Sequence, residues 1–410
     1  MDPLAPHGPA RASAARLGAR GRRPQCASAL LIATLAAATA CQPAAAPVAK
    51  KPQAVQVGKV RAFELQRRDP ATPAAMIGDF VLQGPGLRVE VQGGGRAEWR
   101  GAIVGLAQDG AAYDWESLTP LLAIDGALSE VRAQAIVVRK LGGRPAIVIS
   151  GSAGGGQGAV FRVERSLRLA DVGSALRITT RAWRVKGRAP RELAVVERVA
   201  WGGGFPVAPL VGQLLADTPV DAEWVARGSE ARAVVVAALN GPARIIGRHA
   251  DHGRVDLLRF TDVWLPTTRG TGELRAEALV SASNTGIAQA ARRVGWVRKR
   301  PFDEVIALLD VSPPGASVQL FDSASGRAIV SGVPDDQRRV ILPLPSASGS
   351  AGGARTLELR ALAHGHAASD PVKITGPPYP PVKLTVSAAS RLTVSAEHAA
   401  TGEALPVRIR

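Results

Sequence analysis

Glycine and proline interrupt this sequence at intervals of about ten residues, and between the interruptions apolar and polar side chains alternate. With 44 Gly and 30 Pro in 410 residues, long helices have little room. A Gly in a helix interior costs about 1 kcal/mol relative to Ala, and a Pro about 3. Strands tolerate the same residues when they fall in the turns. Leu87-Arg88-Val89-Glu90-Val91 alternates with period 2, set off from Asp79-Phe80-Val81-Leu82 by the turn Gly84-Pro85-Gly86. That period places the apolar set on one face, as in a half-buried strand.

Comparable runs lie at 131–139, 159–163, 176–181, 193–199, 231–239 and 274–280, with Gly clusters at 93–95, 154–156 and 202–204 separating several of them. Helical spacing is confined to Ile287 to Val294, with a second, short helix expected within Thr119 to Leu128. Nothing repeats a β-α-β order, so a parallel doubly wound sheet is not expected. The fold expected is all-β. A large antiparallel, sandwich-like domain occupies 75–300, and a small β-sandwich of the immunoglobulin or prealbumin type occupies 301–375. A linker, Thr375 to Pro381, then opens the start of another β module over 376–410. Hydrophobic residues are 46% of the chain and aromatics 4%, so the cores must be built mainly from Val, Leu, Ile and Ala.

The N-terminal segment has a different character. Arg11, Arg16, Arg20, Arg22 and Arg23 precede an apolar run from Ala27 to Ala38, which ends in Thr39-Ala40-Cys41. Basic, apolar and small residues in that order make a secretory signal. The apolar run, about 13 residues, is shorter than the ~20 that a spanning helix needs. Small residues directly before a cysteine resemble a lipobox, which implies cleavage after Ala40 and acylation of Cys41, so residues 1–41 are expected as a signal. The Pro/Ala-rich stretch 42–74 then reads as a semi-rigid tether. Partnership with a membrane through the lipid is expected, at the outer membrane or on the periplasmic or cell surface. Cys26 and Cys41 are the two cysteines, so the rest of the chain has neither a disulfide nor a cysteine metal site.

The formal charge is +17, carried almost entirely by Arg spread along the chain. A nucleic-acid binder would show a basic stripe with interleaved aromatics, and none is visible. Anionic envelope surfaces suit such a charge better.

Few segments suggest chemistry. His249-Ala250-Asp251-His252 gathers two imidazoles and a carboxylate, but the spacing matches no common metal site and suits a turn. His364-Gly365-His366 sits where a strand runs into a turn and lacks further ligands. Gly154-Gly155-Gly156-Gln157-Gly158 has no helix after it to cradle a phosphate, and reads as a hairpin loop. Asp114, Trp115 and Glu116 form an acidic-aromatic patch that could contact a sugar, as could Trp201. No catalytic constellation and no cofactor are implied.

Ile77-Gly78-Asp79-Phe80-Val81-Leu82, then Leu87 to Val91 and a Gly cluster, resembles the opening of secreted PHP-type metallohydrolases of the CehA/McbA kind. Val196 to Gly204, with Pro206 and Pro209, resembles their mid-domain segment. Ser317 to His366 resembles a carboxypeptidase-regulatory-like, prealbumin-like sandwich, and Leu392-Thr393-Val394 the start of a second. In that family the metal ligands lie in a C-terminal domain whose motifs do not occur here. The resemblance therefore implies a non-catalytic, envelope-anchored scaffold, an accessory to a catalytic domain outside this chain. A stand-alone lipoprotein that binds envelope polysaccharide or peptidoglycan is the alternative expectation.

Overall fold

A computed structural model of the chain describes residues 54–67, 76–94, 100–108, 111–113, 117–155, 158–171, 175–202, 207–209, 212–213, 219–228, 232–249, 255–259, 273–344, 355–386 and 396–405. Cys41, Asp114, Trp115, Glu116, Asp251 and His252 lie outside these residues.

The alternating runs become strands of two large antiparallel sheets. Among the described residues the first has twelve strands, including Phe80–Gln83, Arg88–Val91, Ile103–Gln108, Ser117–Ile124 and Leu193–Ala200. The second has nine, and runs from Ala233–Ala238 through Glu273–Ser283, Ala175–Lys186, Val160–Leu169 and Arg144–Gly154 to Arg132–Leu141 at one end of the order. Inward residues from both sheets form one core, among them Leu82, Val89 and Ile103 from the first and Ile147, Phe161, Leu176 and Val280 from the second. The chain is thus an all-β sandwich. Its principal core is aliphatic, as the composition requires.

A second core is shared. The other face of the nine-stranded sheet contributes Val235, Ala237 and Leu279, and the helix Gly286–Val297 contributes Ala290, Ala291 and Val294. Val305, Val318, Leu342 and Leu359 complete it from the smaller sandwich, whose two sheets have three and four described strands. Trp224 and Phe302 meet inside it with ring centroids 5.2 Å apart. The small sandwich is therefore packed on the large one through a helix.

Two boundaries and one element differ from those expected from the sequence. Within the expected tether, Ala54–Val57 and Val60–Glu64 form a hairpin that enters the first large sheet, because Ala62 and Val60 carry its apolar side into the core. Val382–Leu384 pairs in parallel with Glu304–Leu309, so the small sandwich runs past residue 375. The segment Thr119 to Leu128 is strand, not helix. Ser117–Ile124 and Ala127–Glu130 form a hairpin closed by Asp125 and Gly126 at φ of 51° and 80°. An Asp-Gly pair with both φ values positive makes the tight turn whose twist matches antiparallel strands, and it overrides the helix propensity of Leu and Ala. The expected helix is present as Gly286–Val297, and the Gly154 loop joins two antiparallel strands as a hairpin.

Candidate anion-binding site

The outward residues of the nine-stranded sheet are strongly basic. In Val160–Leu169, Leu167 and Leu169 point into the core, which turns Arg168 outward. In Ala175–Lys186, Leu176 and Ile178 do the same for Arg177. The register sets Arg168 directly opposite Arg177. Like charges directly opposed across two strands are destabilising, so this pair calls for compensation.

Arg177 receives it. Its guanidinium donates to Glu277 Oε1 at 2.7 Å, and the same oxygen accepts from Arg275 at 2.9 Å and Thr179 at 3.2 Å. These donors hold the Glu277 carboxyl below its usual range against the opposing effect of burial. One carboxylate thus serves two guanidinium groups. Arg168 has no carboxylate within ion-pair reach among the described residues. Burial and the charges of Arg177, Arg144 and Arg275 push its pKa down, with Glu277 only partly offsetting them.

The helix end closes this patch into a pocket of about 310 Å³. It is lined by Arg144, Arg168, Arg177 and Lys299 against the single carboxylate of Asp171, with Trp296 and Val297 from the helix. Trp296 is 41% exposed, and the Arg292 guanidinium lies 5.1 Å from its ring centroid. Lys299 has φ of 56°, the left-handed conformation that usually falls to Gly after a helix. There the chain turns so that a cation stands at the pocket and beside the negative end of the helix dipole. An anion would meet guanidinium groups able to donate two parallel bonds each. An exposed indole beside them can stack on the apolar face of a sugar ring.

None of the residues singled out from the sequence that are described lines this pocket. Trp201 is fully enclosed in the principal core, so its ring offers no face to a ligand. The strand Ala243–His249 ends with His249 opposite Val255, and its side chain lies outside the described residues. His364 and His366 occupy the turn after Arg355–Leu362. Among the described residues, no group of three His, Cys, Asp or Glu is close enough to hold a metal ion. No helix among them is long and apolar enough to cross a membrane.

Asp79, in the segment that carries the family resemblance, is buried and organises a loop. Its carboxylate accepts from the backbone N–H of Met76 at 2.8 Å, Gly93 at 2.9 Å and Gly94 at 3.3 Å. Together these tie the Gly78 turn to the first Gly cluster.

No family model matches the sequence, and no curated protein does. Among solved structures the chain is similar to the 4-alpha-glucanotransferase from Thermococcus litoralis. The identity is 9% and the TM-score 0.34, over 50% of this chain and 39% of that one. A likeness this distant bears on neither fold nor activity, and it spans well under half of the enzyme's length.

Proposed function

We propose that the chain is an envelope-anchored β scaffold, held by lipidated Cys41, that binds acidic sugar units of envelope polysaccharide in the Arg168 pocket. The observation that carries this reading is the charge imbalance there. Arg168 faces Arg177 with no carboxylate of its own among the described residues, and Trp296 stands exposed beside both. A carboxylate or phosphate on a sugar would supply the missing charge, and the sugar ring would cover the indole. The N-terminal order of basic, apolar and small residues before Cys41 supports display at the envelope.

Binding to uronate-containing and phosphorylated glycans, compared with neutral glycans of equal length, tests the recognition. Acidic glycans should bind, and Arg168→Glu and Trp296→Ala should each weaken them at least tenfold. Equal binding of neutral glycans would remove the proposal. Anchoring is tested separately by incorporation of labelled palmitate in a bacterial host, which Cys41→Ser should abolish.

A further inference from the structure

Next to the basic pocket lies a second cavity of about 300 Å³, lined by Val57, Val60, Pro85, Pro145 and Leu169. The two cavities are neighbours in a strict sense. Leu169, Ala170, Arg144 and Asp171 line both. One compartment is therefore cationic and the other apolar, and the Arg144–Asp171 ion pair stands at their shared wall.

That wall is weak. The two side chains are 52% and 78% exposed, and an ion pair so exposed contributes little, because water screens it and ordering two long side chains offsets the attraction. An anion in the basic pocket competes with Asp171 for Arg144, and losing the pair costs little. Leu169 continues beneath both compartments, so the floor between them is already apolar. Val57, at the end of an exposed hairpin, is 38% exposed at the far rim.

From this continuity we infer that the ligand is an acidic glycolipid: a sugar whose acid group meets Arg168 and Arg177, and whose covalently attached alkyl or acyl arm fills the Val57–Leu169 cavity. The inference rests on the acidic-sugar reading above and adds the apolar arm to it. Charge selects the head, since a guanidinium without a carboxylate in a partly desolvated site is satisfied only by an anion. Area selects the arm. Each methylene moved from water into an apolar site is worth about fourfold in affinity, the equivalent of ~0.8 kcal/mol.

Calorimetric titration with methyl, butyl and hexyl β-glucuronide, each below its micelle concentration, tests the inference on the wild-type protein. Affinity should rise along the series, with hexyl at least tenfold tighter than methyl. Hexyl β-glucoside, which keeps the arm and lacks the acid, should bind at least tenfold more weakly than hexyl glucuronide. In Val57→Asn, which adds polarity without charge at the far rim of the apolar cavity, the gain from methyl to hexyl glucuronide should shrink when both are measured on the same variant. That residue is exposed, and an unchanged melting temperature confirms the fold.

If methyl and hexyl glucuronide bind equally, the glycolipid inference fails and the acidic-sugar reading stands. Equal binding of hexyl glucoside and hexyl glucuronide overturns the inference as well, since the arm alone would then account for affinity. Binding by none of the glucuronides overturns both.

Discussion

Arg165 and Glu197 meet across the principal core, Nη2 to Oε2 at 3.0 Å, each with 1% of its side chain exposed. Arg165 stands on the nine-stranded sheet and Glu197 on the twelve-stranded one, so the pair bridges the two layers. The approach is that of an ion pair but is not aligned as a hydrogen bond, and Nε and Nη1 of the guanidinium meet no protein acceptor among the described residues. Burial pushes the Glu197 carboxyl up from 4.5 to about 7, outweighing the attraction of the Arg165 charge. The same burial lowers the pKa of Arg165.

A raised folded-state pKa means that the native protein holds the Glu197 proton more tightly than the unfolded chain does. The resulting stability is fully present below about pH 4.5, falls as pH rises towards 7, and is absent above it. Wild type should therefore lose stability relative to Glu197→Gln between pH 5 and pH 8, by up to about 3 kcal/mol. Urea unfolding of both proteins at the two pH values measures this. A difference between wild type and Glu197→Gln that stays constant with pH would refute it.

The bridge also predicts an asymmetry between single and double replacements. Removing one partner leaves a charge or polar group enclosed without its mate, so Arg165→Met or Glu197→Leu alone should cost about 3–5 kcal/mol. Replacing both with apolar residues of similar volume removes the desolvation problem. Arg165→Met with Glu197→Leu should lie within about 1 kcal/mol of wild type or above it. A double replacement less stable than wild type by about 3 kcal/mol or more would show that the pair contributes net stability over an apolar core.

How much of this was legible beforehand depended on whether the relevant contacts were local. Period-2 runs such as Leu87 to Val91 and the breaks at Gly84-Pro85-Gly86 mark strands because side-chain alternation and turn conformation are set within a few residues. The helix Gly286–Val297 was visible for the same reason, and Asp125-Gly126 held the information that Ser117 to Glu130 is a hairpin. The basic pocket was hidden because its parts are remote in sequence. Arg144, Arg168, Arg177 and Lys299 come from three strands or their turns and a helix end, and only pairing brings them together. Outward-facing Arg residues at alternate positions, Arg177 and Arg181 among them, were the available hint. Trp201 misled because a Trp beside a Gly cluster resembles a loop aromatic, whereas the preceding strand carries it into the core.

At the pocket itself, stability and binding should separate. Arg168 makes no ion pair with the described residues and faces the repulsion of Arg177, so Arg168→Ala should alter stability in chloride by no more than about 0.5 kcal/mol. Sulfate at matched ionic strength should stabilise wild type more than it stabilises Arg168→Ala, by about 1.4 kcal/mol at ten times its dissociation constant. Melting curves in the two salts decide the matter. An equal sulfate response in both proteins would mean that Arg168 holds no anion.

Arg298 shows the opposite economy, since every bond described for it is internal. Its guanidinium donates to Glu223 Oε2 at 2.7 Å, to the Glu223 carbonyl at 3.0 Å, to the Ala238 carbonyl at 2.7 and 3.0 Å, and to the Gly241 carbonyl at 3.0 Å. It fastens the end of the helix to the end of Ala233–Ala238 in the nine-stranded sheet and to the connections at Glu223 and Gly241. Arg298→Ala should cost about 3–5 kcal/mol, because Glu223 would be left largely buried without its cation. Arg298→Lys should recover little, since an ammonium cannot reproduce the planar fork. Near-complete rescue by Lys in chemical denaturation would reduce the contact to simple charge pairing.

The Gly cluster tied to Asp79 separates two neighbouring positions by space alone. A Cβ on Gly93 would stand 2.1 Å from the Gly78 carbonyl oxygen and 2.6 Å from the Phe80 ring, closer than real contacts permit. Gly94 is roomier, its nearest atom being the Ile77 carbonyl oxygen at 3.2 Å. Both backbone N–H groups reach the same Asp79 oxygen, so they share a loop and a partner and differ chiefly in space. Gly93→Ala should therefore displace the Gly78 turn, break the Asp79 bonds and cost about 2–4 kcal/mol, within the upper range of single substitutions. Gly94→Ala should cost at most about 1 kcal/mol. Chemical denaturation of the two proteins compares them directly, and equal losses would show that the loop shifts to admit a side chain at either position.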